Sequence, residues 1–252
     1  MKEQKKYAIS VIAGLLPIIV SSIILFSSGS YAVYTADTAK RKLPVYGVGR
    51  DDGALSISFD CAWGTDYTDK ILDTLDFYNV KATFFVVQFW AEKYPDYLKK
   101  IVGRGHEVGT HSKTHPKMSK LSAEEIEEEL KSSVAAIENV TGQKVKLFRP
   151  PFGDYDDKVI TAAENLGLYT IQWNVDSLDW KNLSAEQIAA RVIKKAGSGS
   201  IILMHNNGLH TAESLPLIFT ATQQKGLVYR PISELIYTDD FRITPDGTQI
   251  KN

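Results

Sequence analysis

The chain has 252 residues, 44% of them hydrophobic and 23% charged, with a formal net charge of -1. That balance suits one globular domain with a buried core, and it argues against a nucleic-acid-binding surface or a disordered acidic tail. The single cysteine, Cys61, excludes an intrachain disulfide and a CxxC zinc module.

Lys2, Lys5 and Lys6 precede an uncharged run over residues 7–26. At about 1.5 Å per residue this run is long enough to cross a hydrocarbon core of roughly 30 Å. The lysine flank places the N-terminus in the cytoplasm and the remainder of the chain outside it. Ser30-Tyr31-Ala32 has the small-x-small form of a signal-peptidase site, so residues 1–30 read as a retained transmembrane anchor or a cleaved signal segment. Residues 31–50, with Lys40-Arg41-Lys42, read as a polar tether.

From residue 51 onward, β-rich runs alternate with helical ones. Residues 54–59, 82–87, 107–111, 146–149, 169–175 and 200–205 are predicted strands. Ser122 with Glu125 and Ser184 with Gln187 have capping-box spacing and predict helix starts. Around the first, Leu121, Ile126, Leu130, Val134 and Ile137 recur at helical spacing. The alternation implies parallel strands with crossover helices, in an α/β barrel or an open doubly wound sheet. No GxGxxG or Walker-type loop follows the first strand, which argues against a nucleotide.

Chemistry-bearing residues close these runs. His111 and His115 have the i, i+4 spacing of a metal-binding pair. Asp60 ends an apolar strand, where a carboxylate is costly unless paired or functional; the alternative is a helix N-cap. Arg149, before Pro150-Pro151, is either a solvated turn residue or a partner for Asp60. His205 closes Ile201-Ile202-Leu203-Met204, where a histidine commonly satisfies a backbone carbonyl. A carboxylate from Asp179 would instead raise its pKa and suit it to donate a proton.

In order, the five fragments Ser58-Phe59-Asp60, His111-Ser112-Lys113-Thr114-His115, Arg149-Pro150-Pro151-Phe152-Gly153, Asp176-Ser177-Leu178-Asp179-Trp180 and Leu203-Met204-His205 resemble the motif series of the polysaccharide deacetylases with a NodB-homology domain, the fourth family of carbohydrate esterases. The apolar N-terminus and Phe59-Asp60-Cys61-Ala62-Trp63-Gly64 look most like the sporulation-associated PdaB type. The resemblance implies a distorted (β/α)7 barrel over residues 51–240, with 241–252 as a C-terminal tail. It implies a metal-dependent hydrolase outside the cytoplasm that removes N-acetyl groups from aminosugars of peptidoglycan or chitin-like glycans.

Matched residue by residue, Asp60 is the general base, Arg149 its orienting partner, and His205 the general acid tuned by Asp179. His111 and His115 hold a divalent metal, zinc by expectation, with cobalt an alternative. The amide of Phe152 faces the oxyanion, and Trp63 and Trp180 offer stacking surfaces for sugar or serve as core tryptophans. The family places a second aspartate after the first, and this chain has Cys61 there. The third ligand is then Cys61, Asp66 or water, with water or Asp66 favoured. A degenerate member that binds cell-wall glycan without hydrolysis is the competing reading.

Overall fold

The computed structural model describes residues 41–252, so the expected anchor and the first half of the tether, residues 31–40, lie outside the described residues. Among the described residues, no helix is long and apolar enough to cross a membrane.

The core element is β2 (Ala54–Cys61), all eight of whose residues are buried. Alternate side chains point to opposite faces of a strand. Leu55, Ile57, Phe59 and Cys61 accordingly join the apolar layer shared with the surrounding helices, where Phe59 stacks on Phe84 at 5.1 Å. Ala54 belongs to the second cluster with Val45, Phe85, Leu147, Ile171 and Ile201. Ser58 donates its hydroxyl to the Ile202 carbonyl at 2.7 Å. The same alternation separates Asp60 from its neighbour Cys61.

Around β2 lie β3 (Thr83–Val86), β4 (Glu107–Thr110), β5 (Leu147–Phe148), β6 (Tyr169–Thr170), β7 (Val175–Asp176) and β8 (Ile201–His205). They pair in parallel, in the order β6-β5-β4-β3-β2-β8-β7, as a curled seven-stranded half-barrel. The predicted strand over 169–175 is two edge strands: Ile171 bridges to Val45, and the following residues carry the chain between the edges. Register does the positioning, because Asp60 pairs with His205, and Thr110 with Phe148, just before His111 and Arg149.

Helices cover the outer face: α1 (Thr68–Phe77), α2 (Gln88–Lys93), α3 (Pro95–Gly103), α4 (Ala123–Thr141), α5 (Asp157–Asn165), α6 (Ala185–Lys195) and α7 (Thr211–Gln224). Both expected capping boxes are present, on α4 and α6.

Two stretches differ from the sequence reading. Gly47–Val48, expected in the tether, is β1; after β9 (Val228–Tyr229), which pairs with β2, the expected tail over 241–252 contains β10 (Phe241–Ile243) and β11 (Thr248–Lys251). The first strand and the last two make a small sheet in the order β1-β11-β10. These strands are too short for alternation to reveal; only backbone pairing defines them. The amide of Val48 donates to the Gly199 carbonyl at 2.8 Å, which ties β1 to the turn before β8.

Candidate active site

The C-terminal ends of these strands open into a cavity of about 510 Å³. Asp60, Ala62, Trp63, His111, His115, Phe152, Trp173, Asp176, Trp180, Leu203, His205 and Asn207 line it. Strand ends are where α/β barrels place their chemistry, since loops there vary without disturbing the core.

Asp60 sits between two cationic or ionisable partners. Arg149 donates Nη1 to its Oδ1 at 2.8 Å, and the His111 Nε2 lies 3.5 Å from Oδ2. Burial alone would raise the Asp60 pKa, but the charge and hydrogen bond of Arg149 prevail and hold the carboxyl below its usual range. Arg149 is fully buried, donates a second bond to the Gln172 carbonyl at 3.1 Å, and stacks its guanidinium 4.1 Å from the Phe85 ring centroid. It is a buried counter-charge for Asp60 rather than a solvated turn residue.

His111 follows β4, and its Nδ1 meets the Arg149 carbonyl at 2.7 Å. A carbonyl accepts only, so this contact assigns the proton to Nδ1 and leaves a lone pair on Nε2. Burial depresses the His111 pKa, with Asp60 opposing, and burial with His111 pushes His115 down to about 4. The His115 ring lies 4.9 Å from His111, 4.6 Å from Phe152 and 5.0 Å from Trp63, each edge-on. Ser112 (φ 73°) and His115 (φ 60°) hold left-handed backbone. Such conformations cost on the order of 1–3 kcal/mol each and persist only where surroundings enforce them.

The opposite wall carries an acid pair. Asp179 is fully buried; its Oδ1 lies 2.7 Å from His205 Nδ1, and its Oδ2 accepts from the His205 amide at 2.8 Å and the Thr211 hydroxyl at 2.6 Å. Burial would lower the His205 pKa, but the hydrogen bond and charge of Asp179 reverse this and raise it. Asp60 is thus biased toward its ionised form and His205 toward its protonated form. Trp63, Phe152 and Trp180 are each more than half exposed at the cavity rim, unlike Trp90, a core residue whose indole donates to the Gly64 carbonyl.

Two neutral imidazoles, one fixed by a backbone carbonyl in the tautomer that frees Nε2, suit a divalent ion. The remaining donor does not. Cys61 faces the apolar layer at zero exposure, and burial pushes its thiol pKa well up. Asp66 is exposed and is not among the cavity-lining residues. Among the described residues, no group of three His, Cys, Asp or Glu side chains is arranged to hold a metal. Of the described residues, His111 and His115 are the two side chains here that suit an ion.

Sequence reasoning passed over Trp173, Asn207 and Thr211. None stands in a recognisable motif; only the pairing of strand ends brings them to the site. Glu129 was likewise missed, although a glutamate one position from Leu130 and three from Ile126 is out of place on a buried helix face.

A family described as "Polysaccharide deacetylase" matches residues 47–171. The chain is 37% identical over 193 residues to "Uncharacterized protein YlxY" of Bacillus subtilis, covering 77% of this chain and 60% of that protein. It is 31% identical over 191 residues to "Peptidoglycan-N-acetylmuramic acid deacetylase PdaA" of the same organism, covering 74% of this chain and 73% of that one. Among solved structures, BA3943 from Bacillus anthracis, described as a CE4 family pseudoenzyme, is similar at a TM-score of 0.74 and 36% identity, covering 76% of this chain and 68% of the other. A BA3943 mutant described as having restored enzymatic activity is similar at 0.74 and 38%, covering 76% and 70%. The chain belongs to the polysaccharide deacetylase family, the CE4 carbohydrate esterases with a NodB-homology domain. This is a hydrolase family that includes pseudoenzymes.

Proposed function

We propose that the domain hydrolyses N-acetyl groups on aminosugars of cell-wall glycan. The observation that supports this best is the convergence of two oppositely biased pairs, Asp60 with Arg149 and Asp179 with His205, on one cavity rimmed by aromatic side chains. Enzymes assign base and acid by pushing the pKa values of paired groups apart. Asp60 takes one proton of the attacking water as its oxygen bonds to the acetyl carbon. The carbon–nitrogen bond then breaks, with His205 giving its Nε2 proton to the nitrogen, so acetate and the free amine leave. The Phe152 amide is the candidate oxyanion donor, a role that the backbone N–H can fill whatever the side chain.

A divalent ion, zinc by the resemblance and cobalt as an alternative, would be held by His111 and His115 with water completing its shell. It would acidify a bound water and polarise the amide carbonyl. Anchoring through residues 1–30 outside the cytoplasm and the PdaB-type sporulation link rest on the sequence resemblance.

A second reading, glycan binding without hydrolysis, is favoured by the burial of Cys61 where the family carries an aspartate and by the likeness to BA3943. Acetate release from peptidoglycan and chitin oligomers, with zinc or cobalt added and after chelation, decides between them. Metal-dependent release supports the first reading; saturable glycan binding with no release under any ion supports the second.

A further inference from the structure

The helix α4 begins Ala-Glu-Glu-Ile-Glu-Glu-Glu-Leu, and one member of this acidic run behaves unlike the rest. Glu124, Glu125, Glu127 and Glu128 are exposed, whereas Glu129 lies on the buried stripe with Ile126, Leu130, Ser133 and Ile137. A carboxylate on such a face is costly unless its hydrogen-bonding capacity is met. Here it is met by the segment between the two histidines. Oε2 accepts from the amides of both Lys113 and Thr114, at 2.9 and 2.8 Å, and Oε1 accepts from the Thr114 hydroxyl at 2.7 Å.

Two successive amides aimed at one oxygen form an anion-binding concavity of the kind a left-handed residue makes in a turn, and Ser112 supplies that residue. One turn further along α4, Ser133 meets Thr110 hydroxyl to hydroxyl at 2.6 Å. Thr110 in turn accepts from the Ser112 amide at 3.2 Å, and Ser112 accepts from the His115 amide at 3.0 Å. Every residue from Thr110 to His115 except His111 is therefore fixed by this chain of contacts. His111 is fixed separately, by its amide on Val86 and its Nδ1 on Arg149.

We infer that Glu129 is the positioning residue that sets the geometry of the His111/His115 pair, by gripping the turn between them from the helix side. The inference rests on these two histidines acting as a pair, as in the proposed function. Glu129 touches neither histidine ring nor the cavity, so it acts through the backbone. Its anionic, acceptor-only head matches three donors, and the left-handed His115 keeps its ring between Trp63 and Phe152 only while that turn is held.

The test uses the full chain carrying Glu129→Leu, Glu129→Gln or Thr114→Val. Two readouts are taken: zinc affinity by titration, and the imidazole proton shifts of His115 by NMR, with His205 as internal reference. Ring currents from Trp63 and Phe152 mark the native placement of His115 whether or not metal is bound. The expected result for Glu129→Leu is a loss of about 10-fold or more in zinc affinity, as for other partners that orient metal ligands, with His115 shifts moving toward solvent-exposed values and His205 shifts unchanged. Glu129→Gln and Thr114→Val, which each spare part of the grip, move the same two readouts less. If Glu129→Leu does not fold, those two milder variants decide. Folded variants whose His115 shifts stay at the wild-type values overturn the inference. A wild-type chain that binds no zinc contradicts the two-histidine site instead, and the His115 shifts then judge the grip by themselves.

Discussion

At the scale of single residues, Asp179 and Cys61 carry the sharpest consequences. Asp179 raises the His205 pKa, and in the proposed mechanism His205 acts in its protonated form, so the basic limb of the activity profile should reflect loss of that proton. Replacing Asp179 by Asn removes the cause of the rise, and activity should then fail at lower pH than in the wild type. Turnover should drop by about tenfold or more with little change in KM, because the group is used only as the amine departs. A pH–rate profile of both proteins checks this; an unmoved basic limb would contradict it.

Cys61 faces the helices, so Cys61→Ala should leave zinc affinity within about twofold, since no metal–ligand bond is lost. Cys61→Asp should bury an uncompensated carboxylate and cost on the order of 2–4 kcal/mol. Zinc should recover more stability in that variant than in the wild type if the new carboxylate can turn toward His111 and His115. Thermal melts with and without zinc measure both effects, and equal zinc shifts would show that position 61 cannot reach the site. In the sequence, Asp60, His111, Arg149 and His205 stand out as polar ends of β-rich runs, His115 by its i, i+4 spacing from His111 and Asp179 by its place in the motif series; the structure brings the six together, and their roles belong to the proposed mechanism. Sequence alone left Cys61 open, because the face a strand-end residue takes depends on which neighbour the pleat turns inward.

At the scale of elements, the predicted strands over 54–59, 82–87, 107–111, 146–149 and 200–205 each coincide with one observed strand, because parallel strands covered by helices on one side are largely apolar, whereas 169–175 is split between the two edges of the sheet. What sequence did not reveal is the seam, where pairing replaces patterning. Gly199 shows how tightly that seam is drawn: its φ is 75°, and an added Cβ would stand 1.6 Å from the Val48 carbonyl oxygen. Gly199→Ala should therefore destabilise the domain by at least about 3 kcal/mol through combined strain and displacement of β1. Gly142→Ala is the contrast, also left-handed at φ 68° but with nothing within 4 Å of its added Cβ, and should cost no more than about 1–2 kcal/mol. Denaturant unfolding of the two variants compares them, and equal losses would mean that the β1 contact adds nothing.

At the scale of the whole molecule, the domain brings two oppositely biased pairs, Asp60 with Arg149 and His205 with Asp179, to one aromatic-rimmed cavity, and the proposed ion would have two protein ligands, His111 and His115. Two imidazoles hold a divalent ion less firmly than three protein ligands do, so activity should depend on added metal more steeply than in relatives with a full set. In the proposed reaction Asp60 and His205 hydrolyse glycan N-acetyl groups with an ion that His111 and His115 would carry. The most direct measurement is acetate released from chitotetraose and purified peptidoglycan by the full chain across a zinc titration, with His111→Ala in parallel. Release should rise with zinc, vanish on chelation and be absent in the variant. No acetate from the wild type at any zinc or cobalt concentration, with the glycan still bound, would contradict the proposed reaction.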